Sequence, residues 1–165
     1  MSLFTFDQMP DTSRVWIFAS DRKLTPTEAD QVLEQAYAYL DQWKAHGAGV
    51  NAACELKYDQ FLFVASDDSS AANPSGCSID DMTRAIQRIA AQVGISFLPG
   101  PKVFYKENGE VKVAERPEFK ALAQEGKING ETLVFDNTLI SLRDIRSGKW
   151  ELPARESWHQ RLIMN

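Results

Sequence analysis

The chain has 165 residues, 44% of them apolar, and a formal net charge of −5, which fits one globular domain or one domain with a small appended unit. Its basic residues are scattered, so no basic stripe points to nucleic acid, and no apolar run approaches the roughly 20 residues of a membrane helix. Two cysteines without CxxC spacing, and a start "MSLFTFDQMPD" with no basic-then-apolar leader, predict a soluble cytoplasmic protein.

"RVWIFAS" (14–20) is β-branched and aromatic and reads as a strand. The helix that follows carries its own start signal: Thr25 as N-cap, Pro26 at the first helical position, and Glu28 closing a capping box. Ala29, Val32, Leu33, Ala36, Leu40 and Trp43 recur at helical spacing, and Gly47 is expected to end the helix. His46 then falls in its last turn. "VNAACELKYDQFLFVAS" predicts a hairpin turning at Asp59-Gln60, pairing Tyr58 with Phe61, Leu56 with Phe63 and Cys54 with Ala65. A second helix follows "DDSSAANPSG", with Ile79, Met82, Ile86, Ile89 and Ala90 on one face and Gly94 at its end. "PKVFYKENGEVKVAE" then reads as strand, turn, strand.

This order, β-α-β-β-α-β, predicts an α+β protein with a ferredoxin-like half over residues 1–100. Residues 101–165 are expected to add a β-α-β extension packed on it, with Pro117 opening a short helix, Gly126 ending it, "ETLVF" as a strand and a tail that docks through "RLIM". Two strands, "VWIFA" and "FLFVA", are apolar at nearly every position, so both of their faces need cover. Two helices cover one face. Trp16, Phe18, Leu62 and Val64 are therefore expected to meet the C-terminal third or a second subunit.

Candidate chemistry concentrates in "NPSGCSIDD" (73–81). Ser78 as N-cap, with Asp81 three residues on, spells a capping box, and Cys77 with Met82 a hydrophobic staple. The alternative is a Cys77 thiolate favoured by the helix N-terminus, with His159 as its base. If the first and third strands run parallel, "SDRK" (20–23) and residues 66–81 share one end of the sheet. Asp21, Arg22, Asp67, Asp68, Ser75, Gly76, Cys77, Ser78 and Asp80 would then line a ligand site, for an anion on the free amides and Arg22. The acids, with Asp81, would instead suit a cation. A zinc site from Cys54, Cys77, His46 and His159 matches no metal-binding spacing, so neither a metal nor a cofactor is expected. No phosphate-binding loop, G-x-S-x-G, H-E-x-x-H or G-x-G-x-x-G occurs, and the motifs do not support ATPase activity.

Two resemblances add to this reading. "VWIFASDRKLT", "QWKAHG", "YDQFLFVA", "SGCSID" and "ESWHQR" together resemble an uncharacterised bacterial family of about this length, often labelled automatically "ABC transporter ATPase". Residues 102–150 are similar to a GYF-like module through Tyr105, Gly109, Phe119, Leu122, Gly126, Ile128, Thr132 and Val134, with "VAERP" where a Gly-Pro pair is usual. That resemblance implies a hairpin, a helix and a strand that bind peptides. The expected function is a non-catalytic binding or interaction protein, with a protein or peptide partner or a second copy of the chain. The alternative is a small-ligand binder or enzyme using the two loops.

Overall fold

The first helix forms where its capping residues demand it. Thr25 Oγ1 accepts from the Glu28 amide at 3.2 Å, and the Glu28 carboxylate accepts from the Thr25 amide at 2.9 Å. In the computed structural model, which describes residues 5–45, 47–67, 74–98 and 102–164, α1 spans Pro26–Asp41 and follows β1, Arg14–Ala19. It ends at Gln42, short of Gly47, because the chain beyond Trp43 pairs with itself instead. A small hairpin of β2 (Lys44–Ala45) and β3 (Ala48–Gly49) forms there, with Gly47 at φ +79° in its turn. His46 lies outside the described residues.

Next come β4 (Ala52–Lys57) and β5 (Phe61–Ser66), paired as Lys57 with Phe61, Leu56 with Leu62 and Cys54 with Val64. The turn therefore holds three residues rather than two, with Tyr58 and Asp59 both left-handed at φ +55° and +49°. That shifts the register by one residue from the expected pairing, which changes which side chains oppose each other. Buried Gln60 ties the turn to the end of β1: its side chain donates to the Ser20 carbonyl at 3.1 Å, and its carbonyl accepts from the Ser20 amide at 2.8 Å.

The sheet order is β1-β5-β4, with each neighbouring pair antiparallel and Arg14 to Ala19 running against Ser66 to Phe61. The expected parallel pairing of the first and third strands is thus wrong. α1 returns the chain to the end where β1 began, so β4 runs parallel to β1. The hairpin then reverses direction, and β5, inserted between them, opposes both. A full ferredoxin-like sheet would place a fourth strand beside β1. Here that position is reduced to one bridge, Phe97 with Ser20, and a second bridge joins Ser141 to Arg14 at the other end of β1. The predicted fourth strand, "KVFYK", belongs to a different sheet.

α2 (Gly76–Val93) buries Met82, Ala85, Ile86, Ile89 and Ala90, and Gly94 ends it at φ +89°. Its side chains and those of α1 cover Cys54, Leu62 and Val64, with Trp16 and Phe18 packed against the same core. Alternation along the strands grouped the right residues, but Trp16, Phe18, Leu62 and Val64 face the helices. The group that needs other cover is Val15, Phe61, Phe63 and Ala65, all fully or almost fully buried. Part of that cover comes from the N-terminal segment, where Phe6, in a single 3-10 turn, sets its ring edge against Phe63 with centroids 6.2 Å apart.

These elements, with the segment Ile140–Arg143, make one compact unit, and residues 98–139 and 144–165 make a second. The second unit opens with a hairpin of β6 (Val103–Glu107) and β7 (Glu110–Ala114). Asn108 and Gly109 turn it, both with positive φ, as a two-residue type I′ loop requires. α3 (Arg116–Gln124) carries Pro117 in its first turn and is followed by left-handed Gly126. β8 (Leu133–Phe135) comes next. α4 (Leu142–Arg146) starts in the segment belonging to the first unit, and β9 (Glu151–Pro153) and α5 (Gln160–Ile163) complete the chain. The sheet runs β7-β6-β8-β9. Val103, Tyr105, Phe119, Ile128 and Val134 form its core, against which Leu162 and Ile163 of the tail pack. The chain is an α+β protein.

Because Phe63 is wholly buried on the face away from the helices, Phe63→Ala is expected to destabilise the protein by about 3–5 kcal/mol. Urea unfolding followed by far-ultraviolet circular dichroism measures this, and a loss below about 1 kcal/mol would mean that the site collapses around the missing ring.

Candidate functional site

The two loops expected to share a ligand stand at opposite ends of the first unit's sheet. Asp21 and Arg22 follow Ala19, whose partner is Phe61, whereas Asp67 follows Ser66, whose partner is Arg14. A six-residue strand separates the ends, roughly 17 Å at 3.3–3.4 Å per residue. The antiparallel insertion of β5 makes this unavoidable.

Each expected ligand residue among the described ones also has a local structural role, or lies on open surface. The Arg22 guanidinium forks onto Glu28 with two bonds of 2.8 Å, and reaches the Gly94 carbonyl at 3.4 Å. It therefore joins the start of α1 to the end of α2, rather than facing the start of α2. Arg22 and the Thr25 amide together hold the Glu28 carboxyl down at about 2. The Asp21 amide donates to the Ser96 carbonyl and the Asp67 amide to the Asn51 carbonyl. Asp68 lies outside the described residues.

The start of α2 differs from the expected one by three residues. Ser75, not Ser78, is the N-cap: its hydroxyl accepts from the Ser78 amide at 3.3 Å, and the Ser78 hydroxyl accepts from the Ser75 amide at 2.7 Å. Two serines three apart offer the same reciprocal bonding that Ser78 and Asp81 offered in the sequence. The earlier pair wins here, with Ser78 buried and its carbonyl bound by the Trp43 indole at 2.9 Å. Cys77 consequently sits inside the first turn, exposed, and the staple with Met82 is not made. Gly76 and Asp80 are exposed beside it, and Asp81 pairs with Arg84 at 2.5 Å.

His159, the proposed base, is fully buried in the second unit. Its ring stacks on Trp158 with centroids 3.8 Å apart, and Arg116 lies 4.8 Å over the same indole. Nδ1 is 2.6 Å from the Ser157 hydroxyl, a length suited to a nucleophile and base. The pair is only two residues apart, however, and it shapes the turn into α5. Burial, with the Arg116 charge adding and Asp136 opposing, pushes the imidazole down to about 4. The ring is neutral near pH 7 and closed to solvent, the condition of a core histidine. Cys54 is likewise inert: burial, helped by Glu55, pushes its thiol up to about 12. Among the described residues no three His, Cys, Asp or Glu side chains gather as metal ligands, and no helix is long and apolar enough to cross a membrane.

One feature of the second unit was not anticipated. The Asn108-Gly109 turn makes Glu107 and Glu110 the hydrogen-bonded pair that closes the hairpin. Alternation then directs the amides and carbonyls of Lys112 and Ala114 toward β6. Those of Val111 and Val113 point the other way, where β7 is the outer strand of its sheet. At the opposite edge, β9 is three residues long and ends in Pro153, the kind of strand that resists further pairing. Among the described residues no strand pairs with this outer edge, which carries Glu110 and Lys112, 3.4 Å apart in an exposed ion pair. The signal for it was the Asn-Gly dipeptide between two alternating runs.

Comparison with protein-family models, with curated proteins and with solved structures returned no match. The site must be read from its own geometry.

Two outcomes follow from the burial of these groups. In the folded protein a thiol reagent is expected to modify Cys77 rapidly and Cys54 only after unfolding. Mass spectrometry that finds both labelled at once would contradict the packing around Cys54. His159 has a folded pKa near 4 and an unfolded one near 6.5, so the unfolded chain takes up its proton first as pH falls. Stability present above about pH 6.5 is therefore lost progressively down to about pH 4, by on the order of 3 kcal/mol. His159→Leu should flatten that part of the pH profile, and the His159 imidazole resonances of the native protein should titrate near pH 4.

Proposed function

We propose that this chain is a non-catalytic binding protein whose second unit accepts an extended protein segment along the open edge of β7. The carrying observation is the outward row of backbone groups at Val111 and Val113 in the outermost strand of its sheet. Strand addition to such an edge supplies main-chain hydrogen bonds, while side chains along the edge select the partner. The half-buried Val111 and Val113 side chains offer apolar contact on one face, and Glu110 and Lys112 offer charge on the other.

The GYF-like resemblance supports this reading. Tyr105, Phe119, Ile128 and Val134 lie in the core of the unit, Leu122 packs against them, and Gly109 and Gly126 take left-handed conformations. A small module built around those positions is a frame for peptide binding. The two free thiols, one of them exposed, fit a reducing cytoplasmic setting. Such a setting also agrees with the resemblance to a bacterial family. Catalysis through the two loops of the first unit is not favoured, because Arg22 is held by Glu28 and the loops stand at opposite ends of the sheet.

Panning the full chain against a display library of random linear peptides tests the reading. Selected peptides are expected to bind the native chain and to lose binding to Val113→Pro. That substitution removes an edge amide but no bond to β6, so the hairpin should tolerate it. Peptides that bind the variant as well as the native protein would place the binding surface elsewhere and overturn the assignment to β7.

A further inference from the structure

The charges along the open edge identify its occupant. We infer that β7 pairs antiparallel with β7 of a second copy of the chain, an inference that rests on the edge-binding reading above. Only residues whose backbone groups point outward can form the new hydrogen-bonded pairs, so Val111 and Val113 must meet Val111 or Val113 of the other copy, or Gly109 one step further along. Three registers set one of these valines against a valine, while a fourth, with Val111 opposite Gly109, sets Glu110 against itself and is repulsive. In one, Val113 opposes its own copy and Lys112 faces Ala114, which leaves both lysines without a partner across the strands. In another, Val111 opposes Val113 and the two Lys112 side chains face each other directly, which is repulsive.

In the third, Val111 opposes its own copy, and Glu110 of each chain lies directly across from Lys112 of the other. The two ion pairs are related by the two-fold axis, and they are non-hydrogen-bonded positions, where cross-strand side chains approach most closely. The exposed Glu110–Lys112 pair within one strand is thereby exchanged for two pairs between strands. Lysine near an edge commonly blocks aggregation. Here it excludes one of the three registers and favours another, leaving a defined two-fold pairing.

The assembly also closes. Pairing joins two four-stranded sheets into one whose outer strands are both β9, each ending in Pro153, so growth stops at the dimer. An edge-to-edge contact of one short strand buries less than the roughly 1,200 Å² of a stable interface. The dimer is accordingly weak and concentration-dependent.

Sedimentation equilibrium of the full chain from about 10 μM to about 1 mM, at low ionic strength, is expected to show a monomer–dimer equilibrium. Glu110→Lys and Lys112→Glu should each weaken self-association about tenfold or more, by turning both symmetric pairs repulsive. An equimolar mixture of the two variants should recover it, because each then faces opposite charges on the other. Val111→Pro, which removes the central outward amide, should abolish the dimer while the circular dichroism spectrum stays native. A monomer at every concentration, or a dimer indifferent to these substitutions, would overturn the inference. If peptides selected on β7 bind a strictly monomeric chain, segment binding stands and self-pairing falls. If the chain is monomeric and no selected peptide depends on Val113, both fall.

Discussion

The first unit depends on a single strand that is buried on both sides. Phe61 to Ser66 lies between two antiparallel neighbours, and every one of its residues is buried. Leu62 and Val64 meet the helices, while Phe61 and Phe63 face the other way. A strand of this kind cannot stand at an exposed face, so it requires helices on one side and further chain on the other. Phe6 against Phe63 supplies part of that second layer. The central position of β5 also fixes the polarity of the sheet, since a strand inserted between two parallel ones through a hairpin must oppose both.

That polarity decides the fate of the polar groups in the loops. With β5 reversed relative to β1, the loop after β1 meets the start of α1 and the end of α2. Arg22 there finds Glu28 and the Gly94 carbonyl. Glu28 already closes the capping box of α1, so one carboxylate serves both the helix start and the arginine, which explains how strongly it holds its charge. At the far end, Ser75 and Ser78 satisfy each other and leave Cys77 at the surface. Arg22, Ser75 and Ser78, which look like parts of a binding constellation in the sequence, act here as fastenings of helix ends.

The second unit shows the opposite tendency. Its histidine is enclosed beneath Trp158 and serves the packing of the tail, while its least conspicuous stretch, a strand with one charged pair, keeps backbone groups open. Strand edges normally invite pairing and are guarded by prolines, charges or short length. β9 follows that rule and β7 does so only in part. The difference between the two edges, more than any single reactive side chain, is what supports the proposed binding along β7.

By itself the sequence determined what neighbouring residues can decide among themselves: the α+β class, the cap of α1 at Thr25 with Glu28, the left-handed end of α2 at Gly94, the hairpin over 103–114, and the two-sided burial of the strand "FLFVA", whereas "VWIFA" keeps Trp16, Ile17 and Phe18 only half-buried. These follow from local hydrogen bonding, backbone sterics and side-chain periodicity. The candidate site was not legible in the same way, because it rested on two loops, 20–23 and 66–81, far apart in the chain meeting in space. Tertiary structure alone decided that β5 opposes β1, which parity of side chains meets the helices, which of two serines caps α2, and that the fourth strand joins the second unit instead. Each of those choices has two locally equivalent answers, and only long-range pairing and burial distinguish them.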